Sequence, residues 1–158
     1  MTATVTSAAH AYGQGPCRAE SAIRRRSVRA IKVYWPVSRQ TLAAVAAGDL
    51  AALYEDESLA GLFRVLEGSP EVGDFGLYTD VFEVGIGAEG FTAAPGSTPT
   101  LGAVGSRSLS PTLTFTTYMD ASVADDEVST VLSRIVAAHP WEVPVVELSA
   151  PLELVSRA

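Results

Sequence analysis

The chain has 158 residues, 47% of them hydrophobic, with a mean hydropathy of +0.23, which is enough apolar material for one domain with a sizeable core and too much for a disordered chain. Charge is uneven: Arg18, Arg24, Arg25, Arg26 and Arg29 against Glu20 give the first 29 residues a net of +4, so the remainder carries −11 to reach the formal −7. A body this acidic repels phosphate backbones and excludes nucleic acid as the expected partner, and no apolar run approaches the roughly 18 residues of a membrane span.

Residues 1–28 lack an apolar period and are expected to form a disordered basic leader ahead of a domain spanning 29–158. The run "RRRS" has the look of a twin-arginine export signal, but Lys32 and Arg39 interrupt the apolar segment such a signal needs. With no secretory leader and one cysteine, Cys17, no intramolecular disulfide can form, and a reducing cytoplasm is expected. Abundant Arg and Ala suggest a GC-rich bacterial genome.

Organisation begins at "AIKVYWPV", where Ile31, Val33 and Trp35 alternate with Lys32 and Tyr34, the period of a half-buried strand that Pro36 should end. Ser38 can cap a helix with apolar positions Leu42, Val45 and Ala46, closed by Gly48, and Asp49 can cap a further short piece through Leu53. Leu59, Leu62, Phe63 and Leu66 then mark one face of a helix closed by Gly68, so region 39–68 is expected to be helical in two or three pieces. Tyr78 to Ile86 alternates as a strand, with Tyr78, Asp80, Phe82 and Val84 on one side. The Gly- and Pro-rich stretch 85–105 that follows is expected to be a long loop or flap. Its "GIGAEG" fits a dinucleotide fingerprint only literally, because "FTAAPG" cannot start the required helix.

"PTLTFTTYM" resumes strand character with Leu113 and Phe115 inward. Asp120 or Ser122 is positioned to cap the next helix, whose first turn holds Asp125, Asp126 and Glu127 and whose Val128, Val131, Leu132, Ile135 and Val136 repeat at helical spacing. "VPVVELSAPLELV" reads as a final strand broken near Pro151. The order strand, helices, strand, strand, helix, strand is the ferredoxin-like split βαβ pattern, an α+β fold with a four-stranded antiparallel sheet, helices on one face and an added helical segment after the first strand. The open face, if partly apolar, calls for cover by another subunit, so a dimer or trimer is expected.

The segment "HPWEVPVVEL" resembles the His-Pro-aromatic-Glu-x-Pro signature of the CutA family of small trimeric ferredoxin-like proteins. It is also similar to the corresponding segment of the Nif-three-like family, whose members often carry a CutA-like inserted domain. Residues 73–105 resemble that inserted domain through Gly73, Gly76, Tyr78, Phe91, Pro95, Gly96, Pro99, Gly102, Val104 and Gly105. The resemblance covers about residues 30–155 and implies the fold. It also implies divalent-metal or copper binding of the CutA type, whereas the dimetal cluster of the Nif-three-like main domain has no counterpart in these residues.

Each candidate site residue has a structural alternative. His139 at a helix C-terminus gains from the dipole, while Pro140 stops the helix; with Glu142 it could instead form a divalent-metal site or an acid/base pair. Trp141 fits a packing plug better than a ligand-stacking ring. Glu147 would share a face with Val143 and Val145, which requires a polar cavity or a partner. Asp80 beside Tyr78 could be a buried acid with a raised pKa, unless a bulge turns it outward. No cofactor is predicted. Two functions follow: an oligomeric module that binds a small metabolite or metal in an inter-subunit or sheet-face cleft, or a cofactor-free enzyme of specialised metabolism with acid and base chosen among Glu142, Asp80, Tyr78 and His139. The missing catalytic constellation favours binding.

Overall fold

The computed structural model describes residues 23–157; Cys17 and residues 1–22 of the expected leader lie outside the described residues. In chain order the elements are β1 (Ile23–Pro36), α1 (Arg39–Ala46), α2 (Ala52–Glu55), a 3₁₀ turn (Glu57–Leu59), α3 (Ala60–Glu67), β2 (Phe82–Thr92), β3 (Arg107–Asp120), α4 (Asp125–Ala138), β4 (Val146–Leu148) and β5 (Leu152–Arg157). The strands lie in the order β2-β3-β1-β4, and β5 also pairs with β1. All strand pairs are antiparallel. This is the ferredoxin-like arrangement, with the last strand broken between Leu148 and Leu152 around Pro151.

The core lies between the helices and one sheet face. Ile31, Val33 and Trp35 project there beside Leu113 and Phe115, because Val33 pairs with Phe115 and Trp35 with Leu113, so period-two alternation puts all five on one side. Leu59, Leu62, Val65 and Leu66, together with Val128, Val131 and Ile135 of α4, close over them. The Trp35 indole is fully buried and donates to the Ser58 carbonyl at 2.9 Å, tying the added helical segment to β1. Ser38 caps α1 by accepting from the Thr41 N–H. Asp56 accepts from the Ser58 and Thr41 hydroxyls and the Ser58 and Ser38 N–H groups. Burial pushes that carboxyl up, and the four donors outweigh it and hold the pKa below its ordinary value.

Several expectations are corrected. β1 starts at Ile23, not near Ala30, because Ile23–Val28 pair residue for residue with Leu152–Arg157 of β5. The boundary drawn at residue 28 therefore falls inside a strand. The arginines there bind acids of the fold: Arg25 pairs with Glu153 at 2.7 Å, Arg26 with Asp120 at 3.1 Å and Arg29 with Asp125 at 2.8 Å. The glycine-rich stretch is a strand through Thr92, since all eleven residues of β2 pair with β3 and that ladder overrides the low strand preference of Gly85, Gly87 and Gly90. The α2 helix begins after Ala51 rather than at Asp49, and α4 is preceded by Ala124 with no side-chain cap. Asp120 instead closes the preceding turn by accepting from the N–H and hydroxyl of Ser122.

The second sheet face is polar. Lys32, Tyr34, Thr114, Thr116, Glu83 and Glu147 share its middle. Among the described residues no helix is long and apolar enough to cross a membrane.

Candidate functional site

The residues singled out in sequence fall into two places. Tyr78 and Asp80 do not lie in a strand. They sit in the loop joining α3 to β2, which is pinned by Gly73 N–H donating to the Tyr118 carbonyl at 2.7 Å and by Val81 N–H donating to the Gly73 carbonyl at 3.1 Å. Gly73 takes φ of +70° with Val81 backbone atoms against its α-carbon, so no side chain fits there. Tyr78 is 72% exposed, and Asp80 is exposed with a left-handed φ of 55°, so the expected buried acid beside a phenol is not formed.

His139 and Glu142 belong to the turn after α4, at the other end of the sheet. His139 is only 7% exposed. Its Nδ1 accepts from the Trp141 N–H at 3.1 Å, which leaves Nε2–H to donate to the Tyr34 carbonyl at 2.8 Å, and its ring meets the Trp35 ring edge-on at 4.6 Å. Burial lowers its pKa from the ordinary value near 6.5, with the bond to Tyr34 opposing, so the neutral ring is the favoured form. Both nitrogens are thus engaged, and the imidazole fixes the turn that delivers Trp141 and Glu142. The Glu142 carboxylate is exposed and accepts from the Thr98 N–H at 2.9 Å, while the Thr100 hydroxyl donates to the Pro140 carbonyl at 3.0 Å. Those two bonds clasp the loop after β2 against the turn after α4.

Between them lies a cleft of about 350 Å³. Its walls are Phe91, Pro99, Leu101, Trp141, Val143 and Val145, with Glu89 and Glu142 as its charged side chains. Phe91 and Trp141 meet edge to face at 5.4 Å, so Trp141 packs, as expected, but against a wall of the cleft rather than in the core. Glu89 is half-buried on the polar sheet face and accepts from the Thr112 hydroxyl at 3.0 Å. Burial raises its pKa, and the Thr112 hydroxyl partly offsets this. Further along the same face the Tyr34 hydroxyl donates to Glu147 at 2.8 Å, and Lys32 lies 3.5 Å from the same carboxylate. That bond, then burial and the charge of Glu147, raise the pKa of Tyr34. Glu147 is therefore exposed on an open polar surface beside Tyr34 and Lys32, rather than in the polar cavity expected as one alternative.

The four proposed acid/base residues do not converge. The loop holding Tyr78 and Asp80 is tied to Tyr118, whereas Phe91 under Trp141 pairs with Ser108, ten residues along β3 and so about 33 Å away at 3.3 Å per residue. Among the described residues no group of three His, Cys, Asp or Glu gathers as metal ligands. Sequence reasoning missed Glu89, Thr112 and the Val143 and Val145 wall. The available signal was Val84, Ile86 and Ala88 continuing the two-residue period through the glycines, opposite a β3 too long to be left unpaired.

No family model and no curated protein matches the sequence. Among solved structures, the chain is similar to the crystal structure of a Bacillus cereus protein related to NIF3, with a TM-score of 0.51 and 17% identity over 82% of this chain. The match covers 26% of that protein, so this chain spans about a quarter of its length. At that identity the likeness is one of fold, and it supports the Nif-three-like side of the resemblance at that level.

Proposed function

We propose that the chain is a binding module for a small organic molecule, seated in the cleft between the end of β2, the loop after it and the His139–Glu142 turn. The observation that carries this is the lining: two aromatic rings and aliphatic walls with two placed carboxylates, in a volume within the roughly 300–1,000 Å³ usual for such sites. The engagement of both His139 nitrogens favours an organic ligand over a divalent metal, and the distance between the candidate acids and bases favours binding over acid/base turnover. Cytoplasmic residence is part of the proposal, supported by the single cysteine. So is the absence of a nucleic-acid partner, since Arg25, Arg26 and Arg29 are spent on acidic side chains. Assembly into a dimer or trimer is supported by the outer edge of β2, unpaired among the described residues, and by exposed Ile86 and Leu109 on the same hairpin.

A panel of small aromatic and aliphatic fragments, read by melting temperature, tests the cleft. A ligand that binds only the folded state raises the melting temperature. Val143 is 78% exposed on the cleft wall, so Val143→Arg can block it without disturbing the core. Fragments should stabilise the native chain and not this variant. Absence of any stabilising fragment, or equal stabilisation of both proteins, overturns the proposal.

A further inference from the structure

We infer that the ligand of this cleft is an organic cation with an apolar body, its charge drawn by the two acids of the lining, Glu89 and Glu142, and its body against Phe91 and Trp141. The inference rests on the cleft being a ligand site and adds the chemical class.

The cleft is one-signed. Of the residues that line it, only Glu89 and Glu142 are ionisable, and no Arg, Lys or His accompanies them. Lys32 lies beside Glu147, and Arg39 lines the adjoining hollow that shares Thr100, Leu101 and Trp141 with the cleft, not the cleft itself. Arg107 comes near Gly90, but Gly90 faces the opposite side of the hairpin from Glu89 and Phe91, since strand residues alternate. Among the described residues, then, Glu89 has a hydroxyl partner and no cationic one.

A half-buried carboxylate without a countercharge is disfavoured by desolvation, as the upward push on Glu89 reflects. A bound ammonium offsets that penalty and gains a charge-assisted hydrogen bond. The indole of Trp141 adds attraction for a cation near its face, and Leu101, Val143 and Val145 suit hydrocarbon. An anionic ligand meets repulsion from two sides and finds no cationic side chain. A neutral ligand of the same shape keeps only the apolar contacts. Chain charge of −7 draws cations toward the surface as a whole, so location has to be tested along with sign.

Isothermal titration calorimetry on the full chain with three probes of similar shape does both: 2-phenylethylammonium, 2-phenylethanol and 3-phenylpropionate. The ammonium should bind at least about ten-fold more tightly than the alcohol, and the carboxylate should not bind measurably. Glu89→Gln and Glu142→Gln keep the hydrogen-bond acceptors and remove the charge, so each should weaken the ammonium several-fold and leave the alcohol unchanged. If alcohol or carboxylate binds as well as the ammonium and Val143→Arg abolishes it, the cleft stands as a ligand site and the cation assignment falls. If the ammonium preference survives both Glu→Gln changes, the charge is read elsewhere and the assignment also falls. If none of the three probes binds, the cleft itself is not a ligand site and both claims fall.

Discussion

His139 joins Tyr34 across the molecule: its Nε2–H donates to the Tyr34 carbonyl at 2.8 Å, which locks the turn after α4 onto the C-terminal end of β1. The same ring accepts the Trp141 N–H, so one buried imidazole sets both the end of the helix and the position of the cleft wall. His139→Ala removes two hydrogen bonds, leaves a partly buried carbonyl without its partner and opens space beside Trp35, and should cost about 2–3 kcal/mol by chemical denaturation. That exceeds the ~1 kcal/mol expected for loss of a helix-dipole contact alone.

The sign of its pH dependence follows from the lowered pKa. The unfolded imidazole takes a proton near 6.5 and the folded one only at lower pH, so its contribution is intact above 6.5 and declines as pH falls below it. Native protein should lose stability on acidification through that window, and His139→Ala should show a flatter profile in the same titration.

Asp120 shifts in the same direction from a different cause. Hydrogen bonds from the Ser122 hydroxyl and N–H, then from Arg26, hold its pKa at about 2 against an ordinary 3.8. Its stabilisation is complete above 3.8 and lost as pH falls toward 2. Because the carboxylate is partly solvated, Asp120→Asn should cost only about 1 kcal/mol at neutral pH. It should also remove that part of the acid transition, as followed by circular dichroism.

Much of the scaffold was legible because burial and period coincide. Ile31, Val33 and Trp35 alternate, and Val128, Val131 and Ile135 repeat at helical spacing, so each element announced its inner face. Two kinds of residue hid. Arg25 and Arg26 read as a solvated leader because their partners, Glu153 and Asp120, are about a hundred residues away in sequence. Gly85, Gly87 and Gly90 read as loop because local preference says nothing of an eleven-residue ladder with β3. The cleft suffered most, since it is built from the far end of that misread strand. His139, Trp141 and Glu142 were found through their motif, but Glu89 and Thr112 meet only through the β2–β3 register.

A chain begun at residue 29 tests the corrected boundary. It loses the pairing of Ile23–Val28 with β5 and the Val28 side chain, which is 1% exposed. The loss should exceed about 3 kcal/mol in urea unfolding. An unchanged midpoint would return those residues to the leader.

Self-association should follow the β2–β3 hairpin. Ile86 and Leu109 are 54% and 66% exposed on it, next to the edge of β2 that is unpaired among the described residues. Light scattering should give a mass of two or three 16.5 kDa chains, and Ile86→Lys with Leu109→Lys should return it to one. A monomeric native chain contradicts this.

The two tryptophans of the protein report on the cleft and the core separately. Trp141 lines the cleft, whereas Trp35 is fully buried with its indole N–H bound to the Ser58 carbonyl. In ¹⁵N-labelled protein each gives its own indole signal, assigned through Trp141→Phe. Titration with 2-phenylethylammonium should move the Trp141 signal to saturation and leave that of Trp35 in place, with no movement in Val143→Arg. A Trp141 signal that stays fixed while the probe is added in excess, or that moves equally in the blocked variant, would contradict ligand binding in the cleft.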